Sequence, residues 1–197
     1  SIGDRAFEGC SGLTAVTYNA TNCKGPIRKF HFDGSFNIDP EPWFKCCPLT
    51  TLNIGEGVKQ IPNYLAYGQS RLTSISIPAS VTSIGDGAFR RCSGLTSVII
   101  PDSVTFIGGS AFSGCSGLTS VTIPASVTSI GNWAFQGCSG LVSVTYNAIN
   151  CKGLDDSYDE PLPWFKDCPI TTLDIGEGVK RIPNLLVCDQ PGLTSIA

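Results

Sequence analysis

Apolar and small polar residues recur along this chain with a period of 23 residues. Segments 72–94, 95–117 and 118–140 align without gaps, and the last of them reads LTSVTIPASVTSIGNWAFQGCSG. In the turn that begins at Leu72, the predicted buried set is Leu72, Ile75, Ile77, Val81, Ile84, Ala88, Phe89 and Cys92. Leu72-x-x-Ile75-x-Ile77 alternates at its end as a strand with one buried face does. Pro78 has no N–H to give a ladder and stops that strand. Val81-x-x-Ile84 predicts a second short extended piece, and Gly85 permits a bend after it. Ala88-Phe89-x-x-Cys92 is too short for a full helix and predicts a single helical turn. One such turn cannot bury its apolar face by itself, whereas stacked turns can. The expected fold is therefore a β-rich solenoid with a parallel sheet, short second strands and single helical turns.

The same frame extends in both directions. Leu49 precedes Leu72 by 23 residues, and Ile170 precedes Leu193 by 23. The turns are 13–48, 49–71, 72–94, 95–117, 118–140, 141–169 and 170–192, with a half turn at 1–12 and a stub at 193–197. Turns 13–48 and 141–169 are lengthened by insertions at about 24–42 and 152–163. A longer repeat is superimposed: VTYNATNCKG (16–25) returns as VTYNAINCKG (144–153), each followed by PWFK and then by TTLNIGEGVKQIPN or TTLDIGEGVKRIPN. Neither end reads as a polar cap, so the chain is expected to be one solenoid cut from a longer array.

The pattern LxxVxIPxSVTSIGxxAFxGCSG resembles the BspA-like (23-residue, Treponema-type) leucine-rich repeat of surface proteins from gut and oral bacteria and some protists. The resemblance covers nearly the whole chain outside the insertions. It implies a leucine-rich-repeat right-handed superhelix with a curved parallel sheet, a place at the cell surface or outside the cell, and adhesion to matrix proteins or neighbouring cells. It implies no catalytic residues and assigns no binding residue by motif.

Composition narrows the remaining classes. Thirteen Lys and Arg against sixteen Asp and Glu leave a net charge of −3, which supplies no basic excess to neutralise a nucleic-acid backbone. The chain contains no apolar run long enough to span a bilayer. One histidine, His31, argues against zinc sites and Ser-His-Asp chemistry. The charge is concentrated in the insertions: turn 118–140 has no ionic residue, while 152–167 holds five carboxylates and two lysines. Residues 29–38 read as a hairpin, its loop type open. Neither 33–41 nor 155–160 has the spacing of a calcium loop, so a solvated acidic loop is the simpler reading. No metal or other cofactor is called for.

The cysteines divide in two. Cys10, Cys47, Cys92, Cys115, Cys138 and Cys168 each follow the turn's Phe by three residues, forming a column of small buried hydrophobes broken at Gln69 and Gln190. Cys23, Cys46, Cys151 and Cys188 lie outside it; Cys23–Cys46 is the favoured disulfide. Asn19-Ala20-Thr21 is a glycosylation sequon, relevant only in a eukaryotic source.

A recognition surface is expected at the outward strand positions. Ser74, Ser76, Ser97, Ile99, Ser120, Thr122, Ser143 and Thr145 fall there by register. Ile99 replaces the usual Ser or Thr. Phe106 stands where Ser83 and Ser129 stand, and Trp133 where Gly87 and Ser110 stand; all three are expected to face outward in adjacent turns and to anchor a partner. Trp43 and Trp164 replace the small buried Ala before Phe44 and Phe165, and are expected to fill space opened by the insertions. The function read from these features is a non-enzymatic recognition or adhesion module for an extracellular protein or glycoprotein. The alternative is a scaffold subunit that associates with neighbouring subunits through its ends or lateral faces.

Overall fold

Strand alternation fixes the first side of every coil. In a computed structural model, residues 2, 5–21, 23, 42–152, 163–184 and 186–197 are described. The expected hairpin at 29–38, His31 and the acidic stretches 33–41 and 155–160 lie outside them. The strands are β1 (Ala15–Tyr18), β2 (Thr51–Ile54), β3 (Gln60–Ile61), β4 (Ser74–Ile75), β5 (Ser83–Ile84), β6 (Ser97–Val98), β7 (Phe106–Ile107), β8 (Ser120–Ile123), β9 (Ser129–Ile130), β10 (Ser143–Tyr146), β11 (Thr172–Ile175) and β12 (Ser195–Ile196). Every pairing among them is parallel, as stacked coils running in one direction require. The first side carries β1-β2, β4-β6 and β8-β10-β11-β12, with an Asn53–Ser76 bridge between the first two groups. The second side carries β3-β5-β7-β9.

All eight residues of the expected buried set, from Leu72 to Cys92, are buried, and one apolar core runs from Tyr18 to Leu186. Pro78 ends the first strand as expected, and its carbonyl accepts from Val81 N at 3.0 Å to turn the chain into the second side. Phe89, Phe112, Phe135 and Phe165 stack with ring centres 5.1–5.3 Å apart. Coil spacing therefore persists through the core as near-parallel aromatic contacts.

The expected helical turn on the third side is replaced by linked turns; no described residue is helical. Between Gly87 and Cys92 the amides point two ways. Gly87, Phe89 and Arg91 donate to Gly109, Ala111 and Ser113 of the next coil at 2.8, 2.8 and 2.7 Å, while Arg90 and Cys92 donate back to Gly87 and Phe89 at 3.0 and 3.1 Å. A helix aims all its N–H groups along its own axis, so it could not supply these inter-coil bonds. The alternation also needs left-handed backbone. Among the described residues, every non-glycine with positive φ falls two residues before or two after the Phe position: Arg5, Tyr64, Ser110 and Trp133 before it, Cys46, Arg91, Asp167 and Asp189 after it.

Much of the Ser/Thr excess serves the stacking itself. Ser80, Ser103 and Ser126 hydroxyls donate to Val58, Val81 and Val104 carbonyls of the preceding coil at 2.9, 2.6 and 2.7 Å. Thr82, Thr105 and Thr128 do the same to Lys59, Thr82 and Thr105 at 3.1–3.2 Å. The cysteine column has a partner role beyond packing. Cys115, Cys138 and Cys168 thiols donate to the Phe89, Phe112 and Phe135 carbonyls at 3.2, 3.2 and 3.1 Å, and Cys47 and Cys92 reach the corresponding Phe7 and Ala66 carbonyls. Cys10 departs from the expected buried column and is exposed, because its coil is the outermost one described.

Gln69 and Gln190 replace the thiol without breaking this bond. Their Nε2 groups donate to Phe44 and Phe165 carbonyls at 2.8 and 3.1 Å. Their Oε1 atoms also accept from the backbone N–H of Leu49 and Ile170 at 3.3 and 3.1 Å. The reason lies in the preceding coil. In a regular coil Leu95 N donates to Cys92 O at 3.0 Å across Ser93-Gly94. Cys47-Pro48-Leu49 and Cys168-Pro169-Ile170 are one residue shorter, which removes that turn and orphans the amide. The glutamine of the next coil takes it up.

Candidate binding surface

The first side presents two outward positions per coil, brought into register by the parallel pairing. Ser74 pairs with Ser97, and Ser120 with Ser143, so these side chains form rows at the inter-strand spacing, roughly 4.8 Å. Ser74, Ser76, Ser97, Ile99, Ser120 and Thr122 are exposed; Ser143 and Thr145 are half-buried. The result is a face of short hydroxyl side chains with one apolar protrusion, Ile99, which is 81% exposed.

Ile99, Phe106 and Trp133 do not form one surface. Ile99 leaves the first side by strand alternation. Phe106 lies in β7 on the second side, in register with Ser83 and Ser129 and 39% exposed. Between them the turn from Pro101 to Val104 swings the chain around the core. Trp133 lies beyond the next corner, at a left-handed φ of 57° on the third side. It is half-buried, not outward-facing, and its indole N–H is buried without a hydrogen-bond partner among the described residues. Adjacent turns in sequence are thus separate faces in space.

Cys23 and Cys46 are not bridged. Cys23 packs against the core beside Tyr18, whose hydroxyl donates to the Cys23 carbonyl at 3.5 Å. Cys46 is exposed on the third-side turn, in a left-handed conformation that directs it away from the core. Burial pushes the Cys92 thiol well above its ordinary value and that of Cys115 up to about 12. Such thiols stay protonated as donors and do not serve as nucleophiles or metal ligands. No group of three or more metal-binding side chains occurs among the described residues. Asn19 is exposed, next to Gly55 of the following coil. Trp43 and Trp164 fill the core at the roots of the insertions, their indole N–H groups unpartnered among the described residues.

The expectations from sequence missed a cavity of about 730 Å³ on the third side, lined by Arg5, Lys45, Arg71 and Arg91 together with Cys46, Tyr67 and neighbouring backbone. Glu8 pairs with Lys45 at 3.3 Å and with Arg5 at 3.6 Å. The available signal was positional. Cys46, Gly68 and Arg91 all follow the Phe position by two residues, so they form a column, with Lys45 and Tyr67 one residue before its first two members.

Among solved structures, similar chains include a leucine-rich repeat protein of Bacteroides ovatus, 28% identical, with a TM-score of 0.60 over 76% of this chain and 37% of that one. A leucine rich cell surface protein of Faecalibacterium prausnitzii is 30% identical, with a TM-score of 0.60 over 75% and 38%. The leucine rich repeat protein of Treponema pallidum is 28% identical, with a TM-score of 0.52 over 70% and 67%. The chain therefore spans under two-fifths of the length of the first two. No curated protein matches it. No helix among the described residues is long and apolar enough to cross a membrane. Residues 1–93 and 59–194 match the BspA type leucine rich repeat region, in six copies. With its parallel ladders, the chain belongs to that leucine-rich-repeat family.

Proposed function

We propose that the chain is a non-enzymatic recognition module of a cell-surface or secreted protein, and that its first side binds an extracellular protein or glycoprotein. The carrying observation is the exposed face of Ser74, Ser76, Ser97, Ser120 and Thr122 around Ile99. Short hydroxyl side chains on a hydrogen-bonded ladder lose little conformational entropy when covered. A lone aliphatic side chain among them supplies apolar area to a docked partner. Location is supported by the cell-surface description of the Faecalibacterium protein. The ladder on this side is held by backbone hydrogen bonds, which leaves its outward side chains free to vary.

The test is a binding screen of the chain against immobilised matrix proteins and glycoproteins, followed by Ile99→Ser on any partner found. Burying an Ile side chain contributes about 1.5–3 kcal/mol, so the substitution should weaken binding roughly ten- to a hundredfold. Self-association in place of ligand binding across the panel would favour the scaffold reading instead. Unchanged affinity of Ile99→Ser would move the binding surface off this face.

A further inference from the structure

The third-side cavity concentrates positive charge in a chain whose net charge is −3. Arg5, Lys45, Arg71 and Arg91 come from four successive coils, and Glu8 pairs with Lys45 and Arg5 at the rim. They stand at different places within their coils, and the stacking of those coils, roughly 5 Å per step, brings them to one cavity. The volume, about 730 Å³, falls within the range of small-ligand pockets.

Two features separate this cavity from an ordinary charged surface. One of its guanidinium groups is held in place: Arg91 Nη1 donates to the Tyr67 hydroxyl at 2.8 Å and the group lies 5.6 Å from the Tyr67 ring centre, with Arg90, outside the lining, 5.9 Å from the same ring. Tyr67 itself is buried, so it acts as a mount rather than a contact platform. Its residues also occupy unfavourable backbone. Arg91 and Cys46 stand at left-handed positions that other coils fill with Gly9, Gly68, Gly114 and Gly137, and Arg5 stands at the second left-handed position. Strain retained at a cluster of side chains points to a role for those side chains.

The long internal repeat provides a control inside the molecule. Lys166 matches Lys45, but Asp167 stands for Cys46, Asp189 for Gly68, Cys188 for Tyr67 and Gly192 for Arg71. Arg71 and its neighbour Tyr67 are therefore particular to the first copy and are not a by-product of the repeat.

We propose that this cavity binds an acidic saccharide, with its sulfate or carboxylate groups held by Arg71, Arg91, Lys45 and Arg5. Guanidinium forks match the oxygens of such anions. The remaining walls offer Ser11, Ser70 and the Gly68 backbone, which suit ring hydroxyls. Apolar lining comes from Pro42, Pro48, Cys46, Cys47 and Tyr67, and suits the C–H faces of sugar rings. The proposal concerns a different side from the first-side face and stands or falls separately from it.

The test uses the whole chain and calorimetric titration with a size-defined, heparin-derived hexasaccharide. Saturable binding should occur at low salt and weaken steeply between roughly 50 and 500 mM salt. Arg71→Ser should reduce affinity about tenfold, and Arg91→Gly should do so while removing a left-handed side chain, so that folding is retained. Lys180→Ser, remote in the fold, should bind as the parent does. A desulfated chain that still binds identifies carboxylate as the bound group, and loss on desulfation identifies sulfate. No binding to the sulfated chain, an equal loss in Lys180→Ser, or tighter binding of a polyglutamate peptide would overturn the proposal.

Discussion

Replacing Gln69 separates the two jobs that its side chain performs. The residue is 3% exposed and bonds the Phe44 carbonyl at 2.8 Å and the Leu49 amide at 3.3 Å. Gln69→Ala leaves both backbone groups buried and unpartnered, at about 1–3 kcal/mol each before relaxation. A loss of about 3 kcal/mol is expected, or a Tm fall of roughly 6–12 °C for a chain of this size. Gln69→Cys restores the thiol that regular coils aim at this carbonyl but leaves the Leu49 amide orphaned. Its cost should be near half, about 1.5 kcal/mol. The converse substitution, Cys115→Gln, brings an amide to a coil whose preceding link is intact, because Leu95 N already bonds Cys92 O. It overpacks the site and should cost about 1–3 kcal/mol. Urea and thermal melts should rank the parent first, then Gln69→Cys, then Gln69→Ala, with Cys115→Gln below the parent. Parental stability in Gln69→Cys would show that the short Cys47-Pro48-Leu49 link creates no demand for glutamine, and the coupling would have to be abandoned.

Three further outcomes are expected. Cys46→Gly removes an exposed side chain from left-handed backbone; relief of about 1–2 kcal/mol, less the added flexibility of glycine, should leave a gain of about 0.5–1 kcal/mol by melting, and a loss would count against the strain argument. Gly108→Ala would place Cβ 2.5 Å from Asp86 N and 2.6 Å from the Gly85 carbonyl carbon, forcing coils apart at a cost of about 3 kcal/mol; Gly109→Ala, whose Cβ has 3.5 Å of clearance, should cost less than about 1 kcal/mol, and equal effects would refute the close-approach reading. Because the folded-state thiol values are raised, their contribution is complete below the unfolded value and is lost as pH rises: from 9.0 to about 12, unfolded chains ionise at Cys115 while the folded chain resists. Each such thiol should lower stability by about 1.4 kcal/mol per pH unit in that window, and urea midpoints that fail to flatten in Cys115→Ala would contradict it.

The parallel ladders and the core were legible because the 23-residue period fixes both. Leu72, Ile75, Ile77, Val81 and Ile84 each recur in a context that admits one side of a strand, and Pro78 marks the corner directly. The Ala88–Cys92 segment misled because spacing of three residues suits a helical turn and linked turns alike. Glycine at the second position after Phe was the discriminating sign, since a helix has no use for left-handed backbone there. The partners of Cys115 and Gln69 were not legible, because they are carbonyls and amides of the preceding coil and no side-chain pattern records them. The dispersal of Ile99, Phe106 and Trp133 over three sides was hidden for a related reason: register within a turn says which residues point out, but the corners decide toward what. The cationic cavity escaped notice because Arg5 and Arg91 are 86 positions apart (91 less 5) and neither is unusual alone.

The left-handed positions separate structural exceptions from functional ones. Tyr64 and Ser110 are buried, and the Tyr64 ring occupies the space that a side chain at Gly87 would need. Their unfavourable backbone is offset by packing within the fold. Cys46, Asp167 and Asp189 are exposed, so little of the apolar core stabilises them. Arg91 is exposed as well, but its guanidinium is fixed on Tyr67 across the coil boundary. A solenoid of this kind can change its surface at these turns without disturbing its ladders, since the hydrogen bonds there run through backbone atoms whatever side chain is carried. That independence explains how two copies of one long repeat keep the same glutamine link and the same buried Trp-Phe pair. It also explains how one copy can present Arg71 where the other has Gly192, and Cys46 and Gly68 where the other has Asp167 and Asp189.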